Sequence, residues 1–118
     1  MSVSIADLEV DRTTHVIEVD GELDAYPAPW LRDRVDAVIE SGKRRLVVDL
    51  SQGSFIDSTG LSVLVMGHRR LEDRRSSLAV VCTDERMLEI FNLTALDQIM
   101  PIRATRSDAV AATESFTR

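Results

Sequence analysis

The residues with the most chemical promise sit in one short string, Asp57-Ser58-Thr59-Gly60-Leu61. It lies where the apolar pair Phe55-Ile56 runs into an amphipathic stretch. A hydroxyl at such a junction accepts a hydrogen bond from a free N–H of a first helical turn, so Ser58 or Thr59 reads locally as a helix N-cap. The same place suits a phosphate. Free N–H groups and the positive end of the helix dipole both favour an anion there. A phosphate on Ser58 would add about −1.5 to −2 charges beside Asp57. A partner surface shaped for the neutral hydroxyl would then meet repulsion and bulk. Gly60, without a Cβ, eases the turn and lets another backbone come close. Leu61 is expected half in the core and half at the surface, an apolar anchor next to the hydroxyl.

Other residues offer less. Ser58 with His15 or His68 might suggest a hydrolase, but Ser58 is not in a G-x-S-x-G elbow. His68 falls on an apolar helical face and reads as a packed, hydrogen-bonded histidine. No glycine-rich phosphate loop is present, which argues against nucleotide hydrolysis. Arg69, Arg70, Arg74 and Arg75 read as a solvated helix face, or as a dock for an acidic partner. Cys82, the sole cysteine, ends a strand-like run and reads as an inert core residue. Tyr26, Trp30 and Phe116 make no cofactor pattern, and no cluster of His and Cys suggests a metal. The chain is expected to be a binding protein without cofactor rather than an enzyme.

The elements around the string follow from periodicity. Val3 to Val10 and His15 to Val19 read as strands joined by the polar turn Asp11-Arg12-Thr13-Thr14, an antiparallel hairpin. Gly21 to Tyr26 reads as a loop, with Pro27 and Pro29 marking entry to a helix. Leu31, Val35, Val38 and Ile39 share one face of that helix, and Ser41-Gly42 stops it. Leu46 to Leu50 is a strand buried on both faces. A second helix begins after Asp57, with Leu61, Leu64, Val65, His68 and Leu71 on one face. Leu78 to Cys82 is another buried strand. Thr83 or Asp84 caps a third helix with Met87, Leu88 and Phe91 as its stripe. A short extended piece near Ile99 to Ile102 leads to a last helix capped at Ser107 or Asp108. Alternation of the middle strands with helices predicts parallel pairing through right-handed crossovers. The fold class is therefore α/β, a small mixed sheet with about four helices.

Composition sets the limits. With 118 residues and 44% hydrophobic content, the chain is expected to form one domain, 1–118, with a real core. Its formal net charge of −6 argues against non-specific nucleic-acid binding. No apolar run approaches the roughly 20 residues of a membrane helix. The N-terminal residues lack the basic start and apolar core of a signal peptide, so a cytoplasmic protein is expected.

Val47-Val48-Asp49-Leu50-Ser51, followed by Phe55-Ile56-Asp57-Ser58-Thr59-Gly60-Leu61-Ser62-Val63-Leu64, resembles the signature of STAS-domain anti-sigma factor antagonists. Gly21-Glu22-Leu23-Asp24 is similar to that family's second recurrent motif, and Leu78 to Val81 and Ile90 to Leu96 to its later strand and helix. The resemblance implies a STAS-like fold and a mechanism called partner switching. The unmodified antagonist binds an anti-sigma factor that is also a serine kinase of the histidine-kinase-like ATPase fold, which frees the sigma factor. The kinase phosphorylates the antagonist, the complex dissociates, and a metal-dependent serine phosphatase reverses the step. Carried onto this sequence, the resemblance makes Ser58 the acceptor, with Thr59 as a second candidate. Asp24, Asp57, Thr59, Gly60 and Leu61 become the partner-binding residues. Three departures stand out: Arg74-Arg75-Ser76-Ser77 where a glycine-containing turn is common, Ala95 where Thr-Gly-Leu is more usual, and Pro27 with Pro29 at the entry of the first helix. A second reading is a non-enzymatic scaffold or regulatory subunit of the same fold in a transport or sensing complex, against which the intact serine speaks. A small-molecule sensor is a third, with no pocket signature in the sequence.

Overall fold

The computed structural model describes residues 3–115, so Phe116 lies outside the described residues. The first two strands, β1 (Ser4–Glu9) and β2 (Thr14–Leu23), pair antiparallel, with Glu9 opposite His15 and Ser4 opposite Asp20. Asp11 fixes the turn between them: its Oδ1 accepts the backbone N–H groups of Thr13 and Thr14 at 2.8 and 2.9 Å. Next come α1 (Ala28–Glu40), β3 (Arg45–Asp49), β4 (Gly53–Ile56) and α2 (Ser58–Asp73). The chain continues through β5 (Ser77–Val81), α3 (Glu85–Leu93), a 3₁₀ turn at Leu96–Gln98, β6 (Ile102–Arg103) and α4 (Arg106–Ser115). The sheet order is β1-β2-β3-β5-β6, and all pairings after the first are parallel.

Adjacent residues of the central strands feed opposite layers, which is why these runs are apolar throughout. Ile17, Val48 and Val80 enter the main core, with Leu31 and Val35 of α1, Leu64 and Leu71 of α2 and Phe91 of α3. Val16, Val47, Ala79 and Val81 form a second layer with Ala109 of α4. Each fully buried Leu, Ile or Phe side chain contributes on the order of 1.5–3 kcal/mol. α4 is also clasped by polar groups. The Arg106 guanidinium donates to Asp49 Oδ2 at 2.7 and 3.1 Å and pairs with Glu18, and the Ser77 hydroxyl donates to the Thr113 carbonyl at 2.6 Å.

Four expectations need correction. Gly21 to Leu23 is not loop but the last part of β2, pairing parallel with β4. Gly21 has φ +98°, and the register shifts between Gly21 and Glu22, so a bulge turns the strand from β3 to a new neighbour. That neighbour is the Phe55-Ile56 piece, which joins the sheet as a sixth strand. The buried stripe of α2 is also rotated. It runs through Gly60, Val63, Leu64, Gly67, His68 and Leu71, while Leu61 and Val65 lie half-buried at its margin. On α3, Met87 and Phe91 are buried but Leu88 is exposed. Thr105, not Ser107 or Asp108, caps α4, its Oγ1 accepting the Asp108 N–H at 3.0 Å. The caps Asp84 for α3 and Ser41 at the end of α1 are as expected.

Two positions that depart from the usual turn sequences carry backbone strain. Arg75 has φ 58° and Ala95 has φ 61°, the left-handed region that side chains disfavour. That conformation costs about 1–2 kcal/mol, against roughly 0.4–1 kcal/mol by which glycine loosens the unfolded chain. Arg75→Gly and Ala95→Gly should therefore each stabilise the fold by about 0.5–1 kcal/mol. Urea-unfolding midpoints measure this, and midpoints at or below wild type for both would contradict the strain account.

Candidate functional site

The parallel strands β2 and β4 end side by side, with Leu23 opposite Ile56. Their carboxyl ends are where an open α/β sheet leaves room for ligands. From Leu23 the chain turns through Asp24 into α1, and from Ile56 it enters α2 through Asp57. The Asp57 N–H donates to the Leu23 carbonyl at 3.3 Å, so the two turns are tied together.

Asp57 is the cap of α2, a role the sequence had offered to Ser58 or Thr59. Its backbone is extended, at φ −114° and ψ −172°. Oδ1 accepts the N–H groups of Thr59 at 2.9 Å and Gly60 at 3.2 Å. The Thr59 hydroxyl donates to the same oxygen, and the nearby Ala25 N–H also favours the charged carboxylate. A carboxylate outcompetes a hydroxyl here because its bonds are charge-assisted and its charge faces the positive end of the dipole. The Thr59 hydroxyl first, then the N–H groups of Gly60, Thr59 and Ala25, hold the Asp57 carboxyl below its ordinary value, with slight burial opposing. The cap is therefore complete above the ordinary carboxylate pKa and is lost only as pH falls through the lower folded value.

With that task taken, Ser58 becomes the first helical residue. It is exposed, and its hydroxyl has no hydrogen-bond partner among the described residues. Thr59 is equally exposed, yet its hydroxyl is committed to Asp57. Gly60 faces inward: a Cβ there would lie 2.8 Å from the Leu23 carbonyl oxygen and 2.9 Å from Ile56 Cγ1. Leu61 is half-buried and packs against the core margin. Asp24 is also half-buried, and its carboxylate accepts the Tyr26 N–H at 3.1 Å. The turn after β2 meets the turn before α2 through the Leu23 carbonyl, and Ala25 lines one groove with Thr59.

The outward ridge of α2 carries Ser58, Ser62, Met66 and Arg69 at helical spacing. A groove of about 410 Å³ lies between this ridge and α1, lined by Ala25, Pro29, Arg32, Thr59 and Val63 among others. A second, of about 630 Å³, lies on the α3 side, where Ser58, Leu61, Arg69 and Leu96 contribute. Sequence reasoning missed Ser62 and Met66, although a helical phase counted from Ser58 finds them. It also missed Arg32, which no local signal marks, because packing of α1 on α2 brings it here.

The histidines lie elsewhere. His68 is 4% exposed on the inner face of α2, ten residues and thus roughly 15 Å along the axis from Ser58. Burial pushes its imidazole pKa down, and Glu72, at 3.9 Å, only partly compensates. It is packed as expected, but Nδ1 has no hydrogen-bond partner among the described residues. His15 pairs with Asp7 at 2.9 Å on the hairpin. Neither is placed to activate Ser58. Of the arginine group, Arg70 pairs with Asp36 and Arg74 donates to the Ile39 carbonyl at 3.0 Å. Among the described residues, no helix is long and apolar enough to cross a membrane.

Comparison with known proteins places this geometry in company. Residues 6–109 match the sequence model of the STAS domain. An anti-sigma-B factor antagonist of Listeria monocytogenes is 36% identical over 104 residues, 87% of this chain and 90% of that protein. The crystal structure of an anti-sigma factor antagonist from Mycobacterium paratuberculosis superimposes with a TM-score of 0.86 at 30% identity, covering 96% of this chain and 95% of that one. The phosphorylated form of the Bacillus cell fate determinant SpoIIAA does so with a TM-score of 0.74 at 25% identity, covering 92% and 97%.

Proposed function

The chain belongs to the STAS domain family, and from that premise we propose that it is an anti-sigma factor antagonist switched by phosphorylation of Ser58. Unmodified, it binds an anti-sigma factor that is also a serine kinase of the histidine-kinase-like ATPase fold, and the sigma factor is released. Phosphorylated, it lets go, and a metal-dependent serine phosphatase restores it. It works in the cytoplasm by binding alone, without membrane or direct nucleic-acid contact.

One observation carries the reading. Ser58 presents an exposed, unengaged hydroxyl on the first turn of α2, while Asp57 has taken over the cap. The acceptor is thus free to react without loosening the helix it starts. A phosphate there would meet the positive end of the helix dipole on one side and the Asp57 carboxylate on the other. The likeness to the phosphorylated form of SpoIIAA supports a fold that persists after modification. Asp57 and Gly60 serve the partner indirectly, by fixing the turn. Asp24, Thr59 and Leu61 border it.

Intact-mass and peptide mass spectrometry after incubation with the cognate kinase and ATP provides the test. One phosphate is expected, on Ser58, and none on Ser58→Ala. Transfer to Thr59 or to a distant residue in the wild-type chain would overturn the assignment.

A further inference from the structure

We propose that Arg32 is a specificity-determining residue that pairs with a carboxylate of the anti-sigma factor, whose adjoining apolar side chain seats in the groove between α1 and α2; this rests on the functional reading above. The arginines of these two helices divide in two. Arg34 and Arg70 are engaged within the chain, with Asp7 and Asp36. Arg32 and Arg69 have no side-chain partner among the described residues. Each lines a groove flanking the ridge that begins at Ser58, Arg32 on the α1 side and Arg69 on the α3 side.

The α1–α2 groove combines an apolar lining (Ala28, Pro29, Val63, Met66) with that one cation. The helical turn that opens it also carries an exposed aromatic pair. Tyr26 and Trp30 meet edge to face with centroids 5.2 Å apart and are 74% and 46% exposed. Tyrosine, tryptophan and arginine are the residues that dominate interface energies, and they act through apolar anchors in desolvated pockets. The groove and the acceptor hydroxyl also form one continuous surface, since Thr59 and Ser62 border both.

Charge decides the chemistry of the occupant. The chain carries a formal −6, so on balance it repels an acidic partner surface. Within the α1–α2 groove the unpaired Arg32 guanidinium reverses that balance locally, which both attracts a carboxylate and fixes its orientation. A kinase whose matching position is neutral or basic would leave Arg32 unpaired or repelled, so Arg32 discriminates among kinases of the same fold.

The experiment measures association of the full chain with its purified cognate anti-sigma factor at low and high salt. Arg32→Glu is compared with Arg44→Glu, which makes the same charge change on an exposed residue just before β3, at the opposite end of the sheet. Arg32→Glu should slow association at least about tenfold at low salt, with the gap narrowing at high salt. Arg44→Glu should change it less than about twofold, and Arg32→Lys should keep most of the rate. Arg32 is exposed and unpaired, so thermal melts of the variants should match wild type. Equal rates for the two reversals would overturn the proposal and leave the functional reading intact. Failure of Ser58→Ala to bind the anti-sigma factor at all would sink the functional reading, and this proposal with it.

Discussion

Ser58→Ala should hold the anti-sigma factor through any exposure to ATP, whereas Ser58→Asp should bind it at least about 30-fold more weakly than wild type. Alanine removes an exposed hydroxyl that makes no hydrogen bond among the described residues, so neither the helix nor its Asp57 cap loses a bond. The variant keeps the binding surface and loses only the acceptor. Aspartate adds a charge next to Asp57 at a surface the partner must desolvate. An unpaired charge at such a contact costs about 2 kcal/mol or more, which is the factor of 30. The mimic carries one charge where a phosphate carries about −1.5 to −2, so true phosphorylation should weaken binding further. Calorimetry with the purified anti-sigma factor measures both variants. Equal affinities for alanine and aspartate would remove Ser58 from the mechanism.

Gly60→Ala should melt about 8 °C below wild type, an effect of contact rather than of helical preference. On preference alone the change is favourable by up to about 1 kcal/mol. The new Cβ, however, would sit 2.8 Å from the Leu23 carbonyl oxygen and 2.9 Å from Leu23 Cγ and Ile56 Cγ1. A backbone carbonyl cannot rotate away, so the cost belongs near the upper end of the overpacking range, about 3 kcal/mol. The balance is about 2 kcal/mol of destabilisation, or on the order of 8 °C for a domain of this size. Gly67→Ala provides the contrast, because its neighbours at 3.0 and 3.1 Å are the side-chain atoms Val35 Cγ1 and Leu78 Cδ1, which can shift. Differential scanning calorimetry should rank Gly60→Ala clearly below Gly67→Ala. Wild-type stability for Gly60→Ala would show that the turns after β2 and β4 are not as tightly joined as the geometry requires.

These two positions also mark what a sequence can disclose. The helical face Leu31, Val35, Val38 and Ile39 and the two-faced strands were legible, because each depends on a repeat contained within its own segment. The string around Ser58 was legible too, as a strand-to-helix junction bearing a hydroxyl. Its division of labour was not. Which of Asp57, Ser58 and Thr59 caps the helix depends on competition among acceptors for the same N–H groups, and the Asp57 backbone is also tied to the Leu23 carbonyl in a distant part of the chain. Gly21 was misread for a similar reason. Locally a glycine signals a turn, and only the pairing of Glu22 with Phe55 reveals that the strand continues. The stripe of α2 was phased on large apolar residues, which overlooks Gly60 and Gly67 at the points of closest approach. Arg32 was invisible as a site residue because helix packing, not sequence proximity, brings it beside Thr59.

Asp57 holds the first turn of α2 through Oδ1, which accepts from Thr59 and Gly60, while the neighbouring Ser58 hydroxyl stands apart from that network. Under the proposed function, the protein therefore stores one bit without a mechanical element. No loop must relax and no domain must swing for the state to be written or erased. The retention time of the record is then the lifetime of a single phosphate ester, and the cell can tune its memory through the amount of phosphatase alone.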